Sequence, residues 1–224
     1  MKTLRVLTIT FEEPIDREEI SAFRGALIEK VGIEHEWFHN HNNDSSQQNY
    51  HYRYPLIQYK RHRGRPMLVF LEDCIEEAQK LFANADWQLN MKHQPYELKI
   101  DKLRVHQFKV GVWQQNFEYS LSNWLPITQK NYEEFSQMKY LADRIAYLER
   151  KLSNHIIAFA KGIDCRWEGR IEARILNVHR DSMVHLKGNR LKAFSLDFET
   201  NFFLPNYIGL GKSVSRGFGV VQSF

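Results

Sequence analysis

Residues 4–32, LRVLTITFEEPIDREEISAFRGALIEKVG, contain the signals for a β-strand that leads directly into an α-helix. The segment Leu4–Phe11 alternates in polarity and is rich in Val, Ile and Thr, which predicts a strand. Asp16 and Glu19 have the spacing of a capping box, in which each residue satisfies the other's backbone N–H at a helix start. Gly32 follows the last apolar residue of the helical pattern and is a typical helix terminator. These residues predict the first two elements of an α+β domain.

The chain up to about residue 103 predicts the rest of a β-α-β-β-α-β unit. In chain order, the remaining elements are a strand at residues 50–59, a turn at 63–65, a strand at 66–71, a helix from Asp73 to about Asn84, and a strand at 96–103. This order of elements defines the ferredoxin-like (RRM-like) unit.

The second half of the chain repeats this order less regularly. Its predicted elements are one or two strands at residues 105–119, a long amphipathic helix at 136–161, and strands at 171–178 and 191–198 separated by a turn at 187–189. We therefore predict an α+β fold with tandem ferredoxin-like domains at residues 1–103 and 104–224, the second of them diverged.

Basic residues are concentrated in two stretches, although the formal net charge is only +4. Residues 45–71 contain no Asp or Glu, and residues 201–224 contain none either. The basic residues of the first stretch are Arg53, Lys60, Arg61, Arg63 and Arg65, and those of the second are Lys212 and Arg216. Acid-free stretches with interspersed Tyr and His favour a surface that binds a polyanion such as RNA. A solvated surface without a ligand is the alternative.

Cysteine usage and hydropathy exclude several classes of protein. Cys74 and Cys165 are far apart and lack metal-ligand spacing, so neither a disulfide framework nor a zinc site is predicted. No apolar run approaches the roughly 20 residues of a membrane span, and the N-terminus has no signal-peptide pattern. We expect a cytoplasmic protein that does not bind a membrane.

Glycine is concentrated in the segment Gly209–Gly219, GLGKSVSRGFG. Its Gly-Lys-Ser tripeptide also occurs in P-loops, but a P-loop requires a glycine where Asn206 stands and a helix downstream. No nucleotide site is predicted here. Paired glycines beside Lys212 and Arg216 instead suit a loop whose backbone N–H groups bind RNA phosphates without reading bases. A tight turn between two strands is the alternative.

The Gly-Leu-Gly and Gly-Phe-Gly pairs at the C-terminus resemble the glycine-rich signature of the CRISPR-associated RAMP proteins. The resemblance is specifically to their repeat-processing endoribonucleases, the Cas-six family. It implies a tandem ferredoxin-like fold and cleavage of the repeat RNA in a precursor transcript to give guide RNAs. Together with the basic stretches, it predicts RNA contacts at Arg53, Lys60, Arg61, Arg63, Arg65, Gly209, Gly211, Lys212, Ser213, Ser215, Arg216, Gly217 and Gly219. The implied partners are the CRISPR precursor RNA and other Cas proteins, and the implied state is a monomer or homodimer.

Histidine is concentrated in HEWFHNHNND, residues 35–44. Cleavage of RNA by its own 2′-hydroxyl needs a general base and a general acid, and imidazole suits both roles because its pKa is near 6.5. Family members commonly carry such a histidine just after the first helix, so the resemblance indicates His39 and His41. Tyr50 is predicted to orient the phosphate or the attacking oxygen. This chemistry needs no metal or cofactor and gives a 2′,3′-cyclic phosphate.

Charge stabilisation at these histidines also needs a cationic side chain. Some family members place a lysine nearby, whereas no lysine lies between Val31 and Tyr59 in this chain. Arg53 or Lys60 would have to take that role.

Other functions remain open for the same residues. His39 and His41 could bind a metal with Asp44 as a third ligand, or could belong to a polar surface loop. The chain could also be a non-catalytic RAMP-type subunit that binds guide RNA within an effector complex, or an RNA-binding protein unrelated to CRISPR. Paired histidines beside the RNA favour the enzyme, because a pure binding protein does not need them.

Overall fold

The computed structural model describes residues 1–32, 35–39, 54–83, 87–186 and 188–224, with only the backbone at Glu36 and His39. The chain forms two compact units. The N-terminal unit comprises Thr3–Phe108 together with Ser215–Gly217, and the C-terminal unit comprises Met1–Lys2, Lys109–Val214 and Phe218–Phe224. Within these ranges, no helix has the length and apolar character needed to cross a membrane.

The N-terminal unit is a four-stranded sheet covered by helices. Its elements are β1 (Lys2–Phe11), α1 (Ile20–Val31), α2 (Glu36–His39), β2 (Ile57–His62), β3 (Arg65–Leu71), α3 (Cys74–Ala83), β4 (Gln88–Met91), β5 (Gln94–Glu97) and β6 (Ile100–Val110). The strand order is β2-β3-β1-β6, and β4 and β5 form a separate hairpin. This is the ferredoxin-like topology with a hairpin inserted before its last strand.

Local signals explain how this unit is built. The backbone N–H of Asp16 donates to Oε2 of Glu19 at 3.1 Å, so the predicted capping box is confirmed, and it opens a 3₁₀ turn that leads into α1. Gly32 has a φ of 110° and ends α1, as predicted. Arg63 and Gly64, with φ values of 49° and 84°, form the two-residue turn between β2 and β3.

The C-terminal unit contains a second sheet of the same topology. Its elements are β7 (Val112–Trp124), α4 (Gln129–Gln137), α5 (Leu141–Gly162), β8 (Ala173–Leu186), β9 (Asn189–Phe202) and β10 (Val220–Ser223). The strand order β10-β7-β9-β8 matches that of the N-terminal unit. The second helix of a ferredoxin-like unit is replaced by the glycine-rich segment, which contains only the 3₁₀ turn Val214–Arg216. The predicted tandem α+β fold with a diverged second domain is confirmed.

Three predicted elements differ in detail. The strand predicted at residues 50–59 is not a strand at 54–56, and β2 begins at Ile57. The long helix predicted at residues 136–161 is two helices, because Met138–Tyr140 is not helical and Thr128 caps α4 with its hydroxyl. Leu141, the first residue of α5, is 73% exposed, and the first buried residue of that helix is Tyr147. The strand predicted at 96–103 is divided between β5 and β6, and β6 continues to Val110.

Candidate functional site

The glycine-rich segment is folded tightly against its own unit by its glycines. Gly219 has a φ of 61°, and a Cβ atom there would lie 1.8 Å from the carbonyl oxygen of Leu210. Gly211 has a φ of 91°, and its Cβ would lie 2.8 Å from the indole of Trp124. Both positions therefore require glycine for internal packing, independently of any ligand.

Backbone N–H groups of this segment are also used internally. Leu210 N–H donates to the carbonyl of Gly219 at 2.8 Å, and Gly219 N–H donates to the carbonyl of Asn123 at 3.0 Å. Lys212 N–H donates to the carbonyl of Leu125 at 3.3 Å. These N–H groups bind carbonyls of the protein, so they are not available to RNA phosphates as the paired glycines suggested. The alternative of a tight turn fits this part of the segment better.

Three of the residues predicted to contact RNA are buried. Gly209 and Gly219 are buried, and the side chain of Lys60 in β2 is 1% exposed. Burial lowers the pKa of Lys60 to about 7, because the charged ammonium is poorly solvated there. We leave these three residues out of the proposed RNA site.

A partly buried histidine of α5 supports the segment. Trp124 Nε1–H donates to Nδ1 of His155 at 3.1 Å, and the two rings meet edge to face. Burial lowers the pKa of His155 to about 4, with smaller contributions from Lys151 and Lys212. His155 is therefore a neutral acceptor that fixes the indole on which Gly211 packs.

The remaining polar side chains of the segment reach the surface. Lys212 is exposed, and Ser213, Ser215 and Arg216 are partly exposed. These four residues, together with the partly exposed Gly211 and Gly217, stay in the predicted RNA-binding set.

Tyr59 of β2 connects α2 to the core of the N-terminal unit. Its side chain is fully buried, and its hydroxyl donates to the carbonyl of Phe38 at 3.1 Å. Phe38 is itself buried and packs edge to face on Phe70, with ring centroids 6.1 Å apart. Phe38 directly precedes His39. These contacts therefore fix the backbone of α2 immediately before the predicted catalytic histidine.

The same tyrosine is contacted by the glycine-rich segment and by α1. A Cβ atom on Gly217 would lie 2.7 Å from Cδ1 of Ile20 and 3.6 Å from the carbonyl oxygen of Tyr59. The guanidinium of Arg24 lies 5.6 Å from the centroid of the Tyr59 ring. Burial lowers the pKa of Arg24 and the nearby charge of Arg216 lowers it further, whereas Tyr59 acts in the opposite direction.

No sequence pattern pointed to Arg24. It is one of two basic residues on α1, the other being Lys30, and a basic residue on an amphipathic helix commonly faces solvent. Arg216 was predicted to bind RNA, but its proximity to Arg24 follows only from the fold.

The turn between β2 and β3 carries three exposed arginines, Arg61, Arg63 and Arg65, all of them predicted RNA contacts. Arg61 Nε donates to the carbonyl of Ile15 at 2.6 Å, and Arg65 lies 3.6 Å from the carboxylate of Asp101. Burial and the charge of Arg63 lower the pKa of His62. The charge of Arg63 is one cause of that shift, so this turn presents positive charge, as a phosphate-binding surface requires.

Several predicted residues lie outside the described part of the chain. These are His41, Tyr50 and Arg53, together with Asp44 of the metal-site alternative. The backbone of His39 is described as the last residue of α2. Among the described residues, no cluster of His, Cys, Asp or Glu has the geometry of a metal site.

Comparison with known proteins gives matches over the whole chain. A family model described as the Cas6b N-terminal domain matches residues 2–109, and one described as the Cas6b C-terminal domain matches residues 111–224. An uncharacterized protein of Methanocaldococcus jannaschii is 32% identical over 135 residues, which cover 60% of this chain and 90% of that protein.

Solved structures share the fold. A crystal structure of Cas6b has a TM-score of 0.86 at 24% identity, and one of a CRISPR RNA processing endoribonuclease Cas6b has 0.73 at 22%. The type IV Cas6 crRNA endonuclease Csf5 has a TM-score of 0.58 at 10% identity. Each of these three alignments covers 100% of both chains.

Proposed function

The chain belongs to the Cas6b family, and we propose that it is an endoribonuclease that cleaves the repeat RNA of a CRISPR precursor transcript into guide RNAs. The match of two Cas6b models to residues 2–109 and 111–224 carries this proposal. Its structural support is that α2 and the segment Ser215–Gly217, far apart in the sequence, both contact Tyr59.

The proposed chemistry is attack of the RNA 2′-hydroxyl on the adjacent phosphorus. One of His39 and His41 removes the 2′-hydroxyl proton, and the other protonates the leaving 5′-oxygen, so the products are a 2′,3′-cyclic phosphate and a 5′-hydroxyl. Each proton transfer is worth about 10²–10⁴-fold in rate. Tyr50 orients the phosphate or the attacking oxygen. The hydrogen bond from Tyr59 to Phe38 supports this role for His39, because it fixes the backbone at the residue directly before it.

RNA binding is assigned to exposed basic side chains in both units. In the N-terminal unit these are Arg61, Arg63, Arg65 and the partly exposed Arg216, and in the C-terminal unit the residue is Lys212. Contacts to phosphates fix the position of the RNA but do not select its sequence. Affinity is therefore expected to fall steeply as the salt concentration rises.

The test uses end-labelled repeat RNA and purified protein in EDTA. We expect cleavage at one position, a 5′-hydroxyl product that polynucleotide kinase labels without phosphatase treatment, and a rate loss of about 10²–10⁴-fold in His39→Ala or His41→Ala. His185→Gln, at an exposed position of β8, is the matched control and should cleave normally.

Three results would contradict parts of this proposal. Tight binding of repeat RNA without cleavage by the unmodified protein would indicate a non-catalytic RNA-binding subunit. Cleavage that EDTA abolishes would indicate a metal site at His39, His41 and Asp44. Normal cleavage by both alanine variants would reject the histidine mechanism.

A further inference from the structure

We propose that a cavity on the C-terminal unit binds one unpaired nucleotide of the RNA, with the base against Trp167 and the phosphate on Arg150 and Arg170. The cavity has a volume of about 700 Å³, and every residue that lines it belongs to this unit. Pockets of about 300–1,000 Å³ are typical of small-ligand sites. The inference rests on the proposed function, which supplies an RNA as the ligand, and it adds a site outside the glycine-rich segment and the β2–β3 turn.

Hydrogen bonds fix the walls of the cavity, which are formed mainly by α5, the loop at residues 167–172 and the adjoining ends of β8 and β9. The side-chain amide of Asn201 donates to the carbonyl of Arg170 at 2.9 Å, and its oxygen accepts from the N–H of Glu172 at 3.0 Å. The hydroxyl of the buried Thr200 donates to the carbonyl of Glu172 at 2.6 Å. Oε1 of Glu149 in α5 accepts from a backbone N–H of β8 at 2.9 Å. The loop and the helix are therefore held in place without a ligand, which lowers the entropic cost of binding one.

Two arginines supply positive charge to the cavity. Arg150 of α5 and Arg170 of the loop are both exposed, and neither makes an ion pair with a residue of the described ranges. The guanidinium of Arg150 lies 5.3 Å from the centroid of the Tyr147 ring, a contact that does not neutralise its charge. By contrast, Arg174, which also lines the cavity, lies 3.5 Å from the carboxylate of Glu199. Two guanidinium groups without a carboxylate partner suit phosphate, whose oxygens accept paired hydrogen bonds from them.

An aromatic ring and a carboxylate in the same cavity favour a nucleotide over other anions. Trp167 is partly exposed, and its ring makes no aromatic contact with a described residue. Aromatic rings beside basic side chains bind unpaired bases by stacking. Glu172 is exposed, and within the described part of the chain its carboxylate has no basic partner. A carboxylate accepts hydrogen bonds from the N–H groups of a base but repels free phosphate, and an acidic peptide offers no base for the indole.

The first experiment measures binding of repeat RNAs that each carry one abasic position. A 2′-deoxynucleotide at the cleavage position prevents cleavage during the measurement. For the unmodified protein, removal of one unpaired base should weaken binding about 5–100-fold, as expected for the loss of one base–aromatic contact. Trp167→Leu should bind the intact RNA about as weakly, and removal of that same base should have no further effect. Trp167→Phe keeps an aromatic ring and should retain most of the affinity.

A second experiment tests the phosphate contact through its salt dependence. The double variant Arg150→Gln and Arg170→Gln should bind the intact RNA more weakly than the unmodified protein. Its slope of log affinity against log salt should be smaller by about 0.7. Arg166→Gln is the matched control, because Arg166 is an exposed arginine of the same unit that does not line the cavity. This control should leave both the affinity and the slope unchanged.

The outcomes separate the cavity from the proposed function. At saturating RNA all these variants should cleave at the unmodified rate, because the cavity binds RNA away from the reacting atoms. If the protein cleaves repeat RNA but Trp167→Leu binds it as tightly as the unmodified protein, the nucleotide site is wrong and the endoribonuclease stands. If the protein binds RNA without cleaving it, the endoribonuclease is wrong and the abasic scan still decides the cavity. Equal losses in Trp167→Leu and Trp167→Phe, or a loss in Trp167→Leu that matches no single abasic position, would also overturn the site.

Discussion

Replacement of Gly219 by alanine tests whether the glycine-rich segment is held by internal packing. At this residue φ is 61°, and the added Cβ would lie 1.8 Å from the carbonyl oxygen of Leu210. That oxygen belongs to the backbone, so no side-chain rotation relieves the overlap. The segment must move away from β10, and the hydrogen bonds across this contact are stretched or lost.

The expected loss of stability follows from two contributions. An alanine in the left-handed region costs about 1–2 kcal/mol. The bonds Leu210 N–H to Gly219 O and Gly219 N–H to Asn123 O are 2.8 and 3.0 Å long, and they lie at a buried residue. Leaving a buried donor or acceptor unsatisfied costs about 1–3 kcal/mol, so we expect Gly219→Ala to lose about 4 kcal/mol or more. That is a large share of the roughly 5–15 kcal/mol that typically stabilises a domain.

Gly188→Ala is the matched control, because Gly188 has a φ of 77° but no atom within 4 Å of the position that an added Cβ would occupy. It carries only the conformational cost of about 1–2 kcal/mol. Equilibrium urea denaturation followed by tryptophan fluorescence measures both variants, and Trp124, on which Gly211 packs, reports on the segment. Equal losses of unfolding free energy in the two variants would refute the close approach of Gly219 to Leu210.

Two further predictions concern stability. Gly25 is an exposed position inside α1, and no atom lies within 4 Å of the position that an added Cβ would occupy. Gly25→Ala should therefore stabilise the N-terminal unit by about 0.5–1 kcal/mol, measured by thermal denaturation. A lower melting temperature would contradict this. Burial lowers the pKa of His155 to about 4, below its ordinary value of 6.5, so the neutral form is favoured in the folded state. Its contribution to stability is complete above about pH 6.5 and is lost as the pH falls towards 4, on the order of 3 kcal/mol. His155→Asn keeps an acceptor for Trp124 but cannot be protonated, so this variant should lose less stability than the unmodified protein as the pH falls over this range. Equal losses in the two proteins would show that His155 is not the source of the pH dependence.

Much of the fold was predictable because its signals are local. The capping box of Asp16 and Glu19 lies within four consecutive residues, and the turn at Arg63 and Gly64 depends on two. Where local signals were weak, the predictions failed. The break before Leu141 has no proline or glycine to mark it, and the turn between β4 and β5 places Lys92 and His93, rather than glycine, at positive φ.

The candidate site was predictable only in part. The arginines of the β2–β3 turn are exposed, as the acid-free stretch indicated, whereas Lys60 in the same stretch is buried. Charge along a sequence does not reveal which face of a strand each side chain occupies when both faces are buried. The glycines were correctly identified as exceptional, but their reason is the close approach of Leu210, Trp124 and Ile20.

The sequence by itself determined the tandem ferredoxin-like fold and, through a resemblance, the family, because periodicity, capping and a C-terminal glycine pattern are short-range features. Only the tertiary structure decided that Arg24, Phe38 and Gly217 all contact Tyr59. Contacts between residues so far apart in the sequence cannot be predicted from local composition, because they depend on how the sheet and the helices pack around one buried side chain. It changes the interpretation of the tail, whose glycines allow close packing against Leu210, Trp124 and Ile20.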